Sequence, residues 1–428
     1  MKNILIIAYY FPPSGGSGVQ RWLKFVKYLP QFGYRPIVLT VDPTTASYPQ
    51  TDESLLKEIP QEAVVVRCKT HEIYGLYKRL TGEKQLPSGG VPKPKKKSLL
   101  HEISLFIRGN FFLPDPRRGW NKTALKQAKR LIAQYDIETV ITTSPPHSTQ
   151  LIGRQLKKAF PALRWIADFR DPWTDIFYYN ELHPTRLADA INRCHERKVL
   201  EECDRVLVTC PTAARTFASK SDKIDISKFT VITNGYDEND VQTALEGWKP
   251  TPNNKLTISY LGVINLVNRH ELDGLFTALR NYAQTQSVCL RFIGQSTEKI
   301  APLIPDDLQS HIQLTAYLPH NEALRAMAES DVLLMVSHQG NAASAVIQAK
   351  LFEYLAVGKP ILCLSDTAES DTAQIIRDCK AGTVLKHNDI DGIGAFLSQA
   401  HRLPPSLREH IESFGRKHLC QQLVKVLD

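Results

Sequence analysis

NAASAVIQAKLFEYLAVGKP, residues 341–360, is an apolar helix pattern that stops abruptly and runs into the strand pattern PILCLS, residues 360–365. Val346, Ile347, Leu351, Phe352 and Leu355 recur at roughly helical spacing. Gly358 supplies a C-cap and Pro360 bars continuation, while Ser344 is the nearest N-cap candidate. Two charges, Lys350 and Glu353, sit on adjacent parts of one face of this otherwise apolar helix. Helical side chains lean toward the N-terminus, so Lys350 reaches back to the end where free N–H groups gather. A cation there opposes the helix dipole unless an anion joins it. The stretch reads as half of a phosphate site, with Glu353 one turn on to accept hydroxyl hydrogens. Taken alone, the same two residues also make an ordinary surface Lys–Glu pair, which is common.

Outward from this stretch, strands and helices alternate along the whole chain. ILIIA (4–8) leads through YYFPPSGGSG into a helix from Ser17 or Val19 to Leu29, then YRPIVLTVD (34–42) and AVVVRC (63–68). A helix over 122–134 precedes further strands at 138–144, 164–169, 204–210 and 229–233, with a long helix between Pro184 and Glu202. The alternation restarts after residue 254, with strands at 256–262, 288–294, 312–318, 331–337, 360–365 and 382–386. Strand, tight loop, helix, strand is the opening of a doubly wound α/β domain. The expected organisation is α/β with two Rossmann-like halves facing each other: residues 1–245, a linker at 246–254, residues 255–402, and a final helix within 403–428. Residues 81–98 carry PSGG and PKPKKK and read as a loop. LFIRGNFFLPDPRRGW (105–120) interleaves aromatics with arginines, and reads either as a membrane-interfacial segment or as a loop packed on its domain.

Composition narrows the class. The 428 residues are 43% hydrophobic and 23% charged, as in ordinary globular proteins, and suffice for two full cores. Eight cysteines are scattered, with no C-x-x-C and no zinc spacing, so reduced thiols in the cytoplasm are expected and no metal site is. No stretch reaches the ~18 apolar residues of a membrane span. The net charge of +9 is uneven: residues 1–245 hold 36 Lys+Arg against 25 Asp+Glu, and residues 246–428 hold 17 against 19. The basic first half suits an anionic partner such as the inner face of a membrane or a lipid diphosphate. Nothing but charge argues for nucleic acid, and none is expected as a partner.

Chemistry-bearing residues gather where strands end. Gly15, Gly16 and Gly18 follow the first strand and precede a helix, which suits a ligand loop or a tight turn; their spacing is not the dinucleotide fingerprint. TSPPHS (143–148) ends the fourth strand, and His147 there could polarise a hydroxyl. ADFRDPW (167–173) ends the next, bunching Asp168, Arg170, Asp171 and Trp173, with Arg170 able simply to pair with the aspartates. In the second half Gly262 and Gly294 end strands, and Arg269 and His270 follow Gly262. A guanidinium at Arg269 suits a diphosphate. The C-terminal ends of parallel strands are where such sheets bind ligands.

The array of YYFPPSGGSGVQR, SPPHS, ADFRDPW, TNGYD, a glycine-ended strand followed by Arg269, and AKLFEYLAVGKPIL resembles the retaining glycosyltransferase family 4, of GT-B fold. The resemblance covers nearly the whole chain in order, and KLFEYLAVGKPIL is its most specific part. It implies an acceptor-binding first domain, a nucleotide-sugar-binding second domain, a last helix crossing back to the first domain, and no metal or other cofactor. By position, Glu353 looks like the ribose-binding glutamate and Lys350 and Arg269 like the diphosphate cations. Gly15 and Gly16 look like the loop facing the donor phosphates. His147 and Asp171 are the catalytic candidates, placed to orient acceptor or sugar. The family's earlier carboxylate would fall at Ala345 and is absent, and its histidine would fall near Ser144 rather than at His147. The implied function is transfer of a sugar from a nucleotide diphosphate sugar to a glycan or lipid-linked hydroxyl in surface polysaccharide synthesis. A non-catalytic nucleotide-sugar-binding partner and a nucleotide-sugar epimerase are the alternatives.

Overall fold

Strands covered on both faces need unbroken apolar runs, and this chain has many. In the computed structural model, which describes residues 1–70, 99–250, 254–262, 271–295, 297–337, 346–367, 369–400 and 408–428, these runs form two parallel sheets. The first comprises β1 (Lys2–Ile7), β2 (Tyr34–Val41), β3 (Val64–Cys68), β4 (Thr139–Ser144), β5 (Arg164–Phe169), β6 (Arg205–Val208) and β7 (Phe229–Val231). Their order is β3-β2-β1-β4-β5-β6-β7. The second comprises β8 (Leu256–Leu261), β9 (Val288–Ile293), β10 (Ile312–Thr315), β11 (Val332–Val336), β12 (Ile361–Leu364) and β13 (Gly382–Leu385), ordered β10-β9-β8-β11-β12-β13. Every strand expected from the sequence is present, and the α/β, GT-B class stands. Each sheet reverses its strand order once, between β1 and β4 and between β8 and β11. Those are the topological switch points at which open sheets hold ligands.

The chain divides into two compact units, Met1–Thr233 with Cys420–Asp428, and Asn234–Leu419. Each has its own core. In the first, Leu5, Ile7, Leu39 and Val140 pack against Trp120, Leu131 and Ile152. In the second, Ile258, Leu290, Leu334 and Leu362 pack against Leu275, Leu279 and Leu397. The carboxyl end of the chain is tied into the first unit, where Arg164 donates to the carbonyls of Val426 (2.6 Å) and Leu427 (2.7 Å). That places a guanidinium on the last, otherwise unsatisfied carbonyls of the helix Arg416–Leu427.

Local signals set the helix ends. Thr185 accepts from the Ala188 N–H and Ser370 from the Ala373 N–H, each as an N-cap. Gly358, at φ 75°, ends the helix Lys350–Val357 as the sequence suggests. That helix is shorter than its apolar pattern. Its N-cap position is Ala349, with no side-chain cap, and Ser344 lies outside the described residues. The segment 105–120 is neither a loop nor uniformly exposed. It begins inside the helix Leu99–Phe111 and ends in the 3-10 turn Pro116–Trp120. Trp120 is fully buried, edge-on to Tyr9 with centroids 5.5 Å apart.

Candidate active-site edges

In the first unit, the loops after β1, β4 and β5 meet at one sheet edge. Arg170 binds them together. Its guanidinium donates to the carbonyls of Ser144 (3.0 Å), Pro145 (2.8 Å) and Gly18. It is therefore spent on backbone rather than on the aspartates, as the sequence had left open. Asp168 is not at the site surface either. It is fully buried and accepts from Arg21 (3.1 Å), the Trp22 indole (2.7 Å) and the Thr143 hydroxyl (2.7 Å). Arg21 in turn donates to the carbonyls of Ile232 and Thr233. The cluster fixes the helix Ser17–Tyr28 over β4 and β5, and with it the glycine loop.

Gly15 gives its N–H to the Gln50 carbonyl (2.9 Å), so that amide is not free for a ligand. Gly16 takes φ 88°, where a side chain is strained. The helix it precedes has no side-chain cap and no acid in its first turn. Its end therefore favours an anion.

His147 and Asp171 both stand at this edge. The His147 ring stacks on the Trp173 indole, centroids 5.0 Å apart and planes 8° from parallel. Burial, helped by Arg170, pushes its pKa down to about 3, so the imidazole is neutral at ordinary pH. Its buried Nδ1 has no hydrogen-bond partner among the described residues. The next residue, Ser148, gives both its N–H (2.6 Å) and its hydroxyl (2.9 Å) to Asp115, which fixes the start of the helix Ser148–Ala159. Burial raises the Asp171 pKa while Arg170 lowers it. Burial first, then Asp171, pushes the Tyr178 hydroxyl up to about 12, and Arg108 pulls the other way. Asp171, Tyr178 and Arg108 thus share one neighbourhood. Trp173 stands where ADFRDPW grouped it with Asp171, whereas Tyr178 carries no motif of its own and only the fold shows it here.

In the second unit, β8 and β9 end in glycines for a steric reason. Gly294 takes φ 143°, and a Cβ there would lie 2.1 Å from the Gly262 carbonyl oxygen; Gly262 itself takes φ 116°. The two strand ends thus pack backbone against backbone, which only glycine allows. Lys350 lies against the end of β8, its Cδ 3.7 Å from where a Gly262 Cβ would stand. Its Nζ sits over the Tyr260 ring, 3.3 Å from the centroid. No hydrogen bond or ion pair reaches this amine among the described residues. Burial holds it well below its ordinary pKa of 10.5, and the Cys363 thiol beside it opposes that weakly.

Glu353 belongs to a different neighbourhood. Its Oε1 lies 3.9 Å from His320 Nδ1, with Asp240 and Arg416 nearby, and burial raises its pKa. The two charges of the helix therefore do not pair. Lys350 faces the ends of β8 and β12, and Glu353 faces the helix His320–Ala328. Tyr354 locks this arrangement, its hydroxyl accepting from the Leu261 N–H (2.8 Å). Arg269, His270 and Ala345 lie outside the described residues.

Gly294→Ala tests the glycine floor. Backbone strain alone costs roughly 1–3 kcal/mol, and the clash with Gly262 adds to it. A fall in melting temperature on the order of 5–10 °C is expected by calorimetry. An unchanged melting temperature would mean the two strand ends are not held as described.

No known family profile and no curated protein matches the chain. Solved structures do. Sucrose-phosphate synthase from Thermosynechococcus elongatus matches with a TM-score of 0.61 and 14% identity, over 100% of this chain and 98% of that one. WaaG, a glycosyltransferase involved in lipopolysaccharide biosynthesis, matches at 0.53 and 14%, over 99% of each chain. The UDP-GlcNAc 2-epimerase from Methanocaldococcus jannaschii matches at 0.51 and 10%, over 100% and 99%. At such identities the likeness establishes the fold.

Proposed function

We propose that the chain is a glycosyltransferase that moves a sugar from a nucleotide diphosphate sugar to a hydroxyl of a glycan or lipid-linked acceptor. In this reading it acts with retention of configuration, in surface polysaccharide synthesis at the inner face of a membrane. The observation that carries the reading is the half-buried Lys350 at the glycine-ended edge of β8, whose amine has no hydrogen bond or ion pair among the described residues. Such a cation calls for an anion, and a strand end without a side chain at Gly262 lets one approach the backbone. A diphosphate leaving group gains negative charge as its bond to the sugar breaks. Lys350, Arg269 and backbone N–H groups are assigned to stabilise that charge. Gly16 and the uncapped helix start after it offer a second set of amides, with Gly15 shaping the loop.

Glu353 is assigned to the ribose hydroxyls. His147, neutral and held flat by Trp173, and Asp171 are assigned to orient the acceptor or the sugar. The proposal includes no metal or other cofactor. A thermal-shift screen with UDP, GDP, ADP, CMP, dTDP and their sugars tests it. Ligand at about a hundred times its Kd adds ~2.7 kcal/mol, a shift of several degrees. If none of these nucleotides raises the melting temperature, the reading falls. The likeness to the epimerase keeps a second reading, which predicts conversion of the nucleotide sugar with no acceptor present.

A further inference from the structure

Of the large apolar side chains that the described residues leave exposed, four crowd onto one helix of thirteen residues, Leu99–Phe111. Ile103 (45% exposed), Phe106 (42%), Ile107 (38%) and Phe111 (74%) recur at i, i+3, i+4 and i+8, a single outward stripe. The other side of the helix is bolted down. Ser104 and Leu105 are buried, and a Cβ on Gly109 would lie 2.2 Å from the Leu182 carbonyl oxygen. On the stripe's own face, at i+7 from Ile103, the Asn110 side chain pins the helix end: it donates to the His183 carbonyl (3.0 Å) and accepts from the Thr185 N–H (2.7 Å). Rotating the stripe inward would break these contacts, so the outward apolar face is fixed by the fold.

A helix of this length cannot cross a bilayer, and no described helix is long and apolar enough to do so. What an outward apolar stripe on a short helix suits is insertion into the headgroup–acyl boundary. Charge selects the kind of surface. The first 245 residues carry a net +11. Exposed Arg118 and Lys122 follow the helix in the chain, and exposed Arg186 stands beside exposed Leu187 just after the turn that anchors it.

We propose that the helix Leu99–Phe111 docks this protein on an anionic lipid bilayer, with Ile103, Phe106, Ile107 and Phe111 inserted and the surrounding cations on the headgroups. The proposal names the face behind the membrane attachment in the reading above and rests on that reading. The docked helix would lie in the plane of the interface and hold the first unit at the surface where a lipid-linked acceptor is presented.

Co-sedimentation with phosphatidylcholine vesicles, with and without phosphatidylglycerol, tests it in the absence of nucleotide and acceptor. The full chain is expected to bind the anionic vesicles and not the neutral ones. Phe106→Ser with Phe111→Ser is expected to weaken that binding by about a hundredfold, since two aromatic side chains leave the lipid. Both side chains are exposed, so the variant should melt as the parent does and keep its nucleotide-induced thermal shift. Binding that survives the double substitution overturns the proposal, and so does equal binding to neutral vesicles. A parent that ignores vesicles but dimerises, with the variant monomeric in sedimentation velocity, also overturns it and assigns the stripe to a contact between copies. Lost nucleotide response with intact vesicle binding would count against the functional reading alone.

Discussion

Lys350→Met is expected to raise the melting temperature of the empty protein by a few degrees while abolishing its nucleotide-induced stabilisation. The two effects have one origin. An amine taken from water with no carboxylate beside it among the described residues destabilises the fold, and the Tyr260 face returns only ~0.5–2 kcal/mol. Methionine fills similar space without the charge. The same substitution removes the group assigned to the diphosphate. A single donor to a developing negative charge is worth roughly 10²–10³ in turnover, so activity should fall by about that factor.

The pH dependence of Lys350 has a definite sign. Its folded pKa lies below the unfolded value near 10.4, so between the two the unfolded chain binds the extra proton. The stability of the empty protein therefore rises with pH across that window, and the Lys350→Met variant lacks this part of the slope. A bound diphosphate holds the amine protonated. Binding then takes up a proton, and nucleotide affinity weakens as pH rises through the window. Calorimetric titration in two buffers of different ionisation enthalpy reads the uptake directly. A variant that melts lower than the parent and still responds to nucleotide would remove Lys350 from the site.

The sheets were legible because strands buried on both faces must be written as apolar runs. β1, β8 and β11 are such runs, and the glycines after β8 and β9 marked their ends. The helix Leu99–Phe111 was not legible as a helix. Its apolar stripe points outward and its arginine sits among aromatics, so the pattern resembles a loop as much as an amphipathic helix. Contacts made across the sheet left no local trace. Lys350 finds Tyr260 and Asp168 finds Arg21 and Trp22 only because strand order brings distant segments together. The sequence grouped Asp168, Arg170 and Asp171 because they are neighbours in the chain. In the fold, alternation of side chains along and beyond β5 buries Asp168 and leaves Asp171 at the edge.

That division leads to the second large effect. Asp168→Ala is expected to destabilise the first unit by about 3–5 kcal/mol, because it strands a buried guanidinium. Three donors lose their acceptor at once: Arg21, Trp22 and Thr143. Arg21 keeps the carbonyls of Ile232 and Thr233, which bind the guanidinium but do not neutralise it. For a unit of this size the fall in melting temperature is on the order of 6–20 °C. Adding Arg21→Met to Asp168→Ala should recover part of the loss, since a missing pair costs less than half a pair. The nucleotide-induced shift should shrink but persist in both variants, because Lys350 and the glycine floor belong to the other unit while the glycine loop that the Asp168 cluster fixes is assigned only the second set of amides. A structural aspartate therefore lowers the melting temperature and only weakens the ligand response, whereas Lys350→Met abolishes it. If Asp168→Ala instead melts like the parent and loses turnover, Asp168 acts on the substrate, and its burial beneath Arg21 and Trp22 does not describe the working protein.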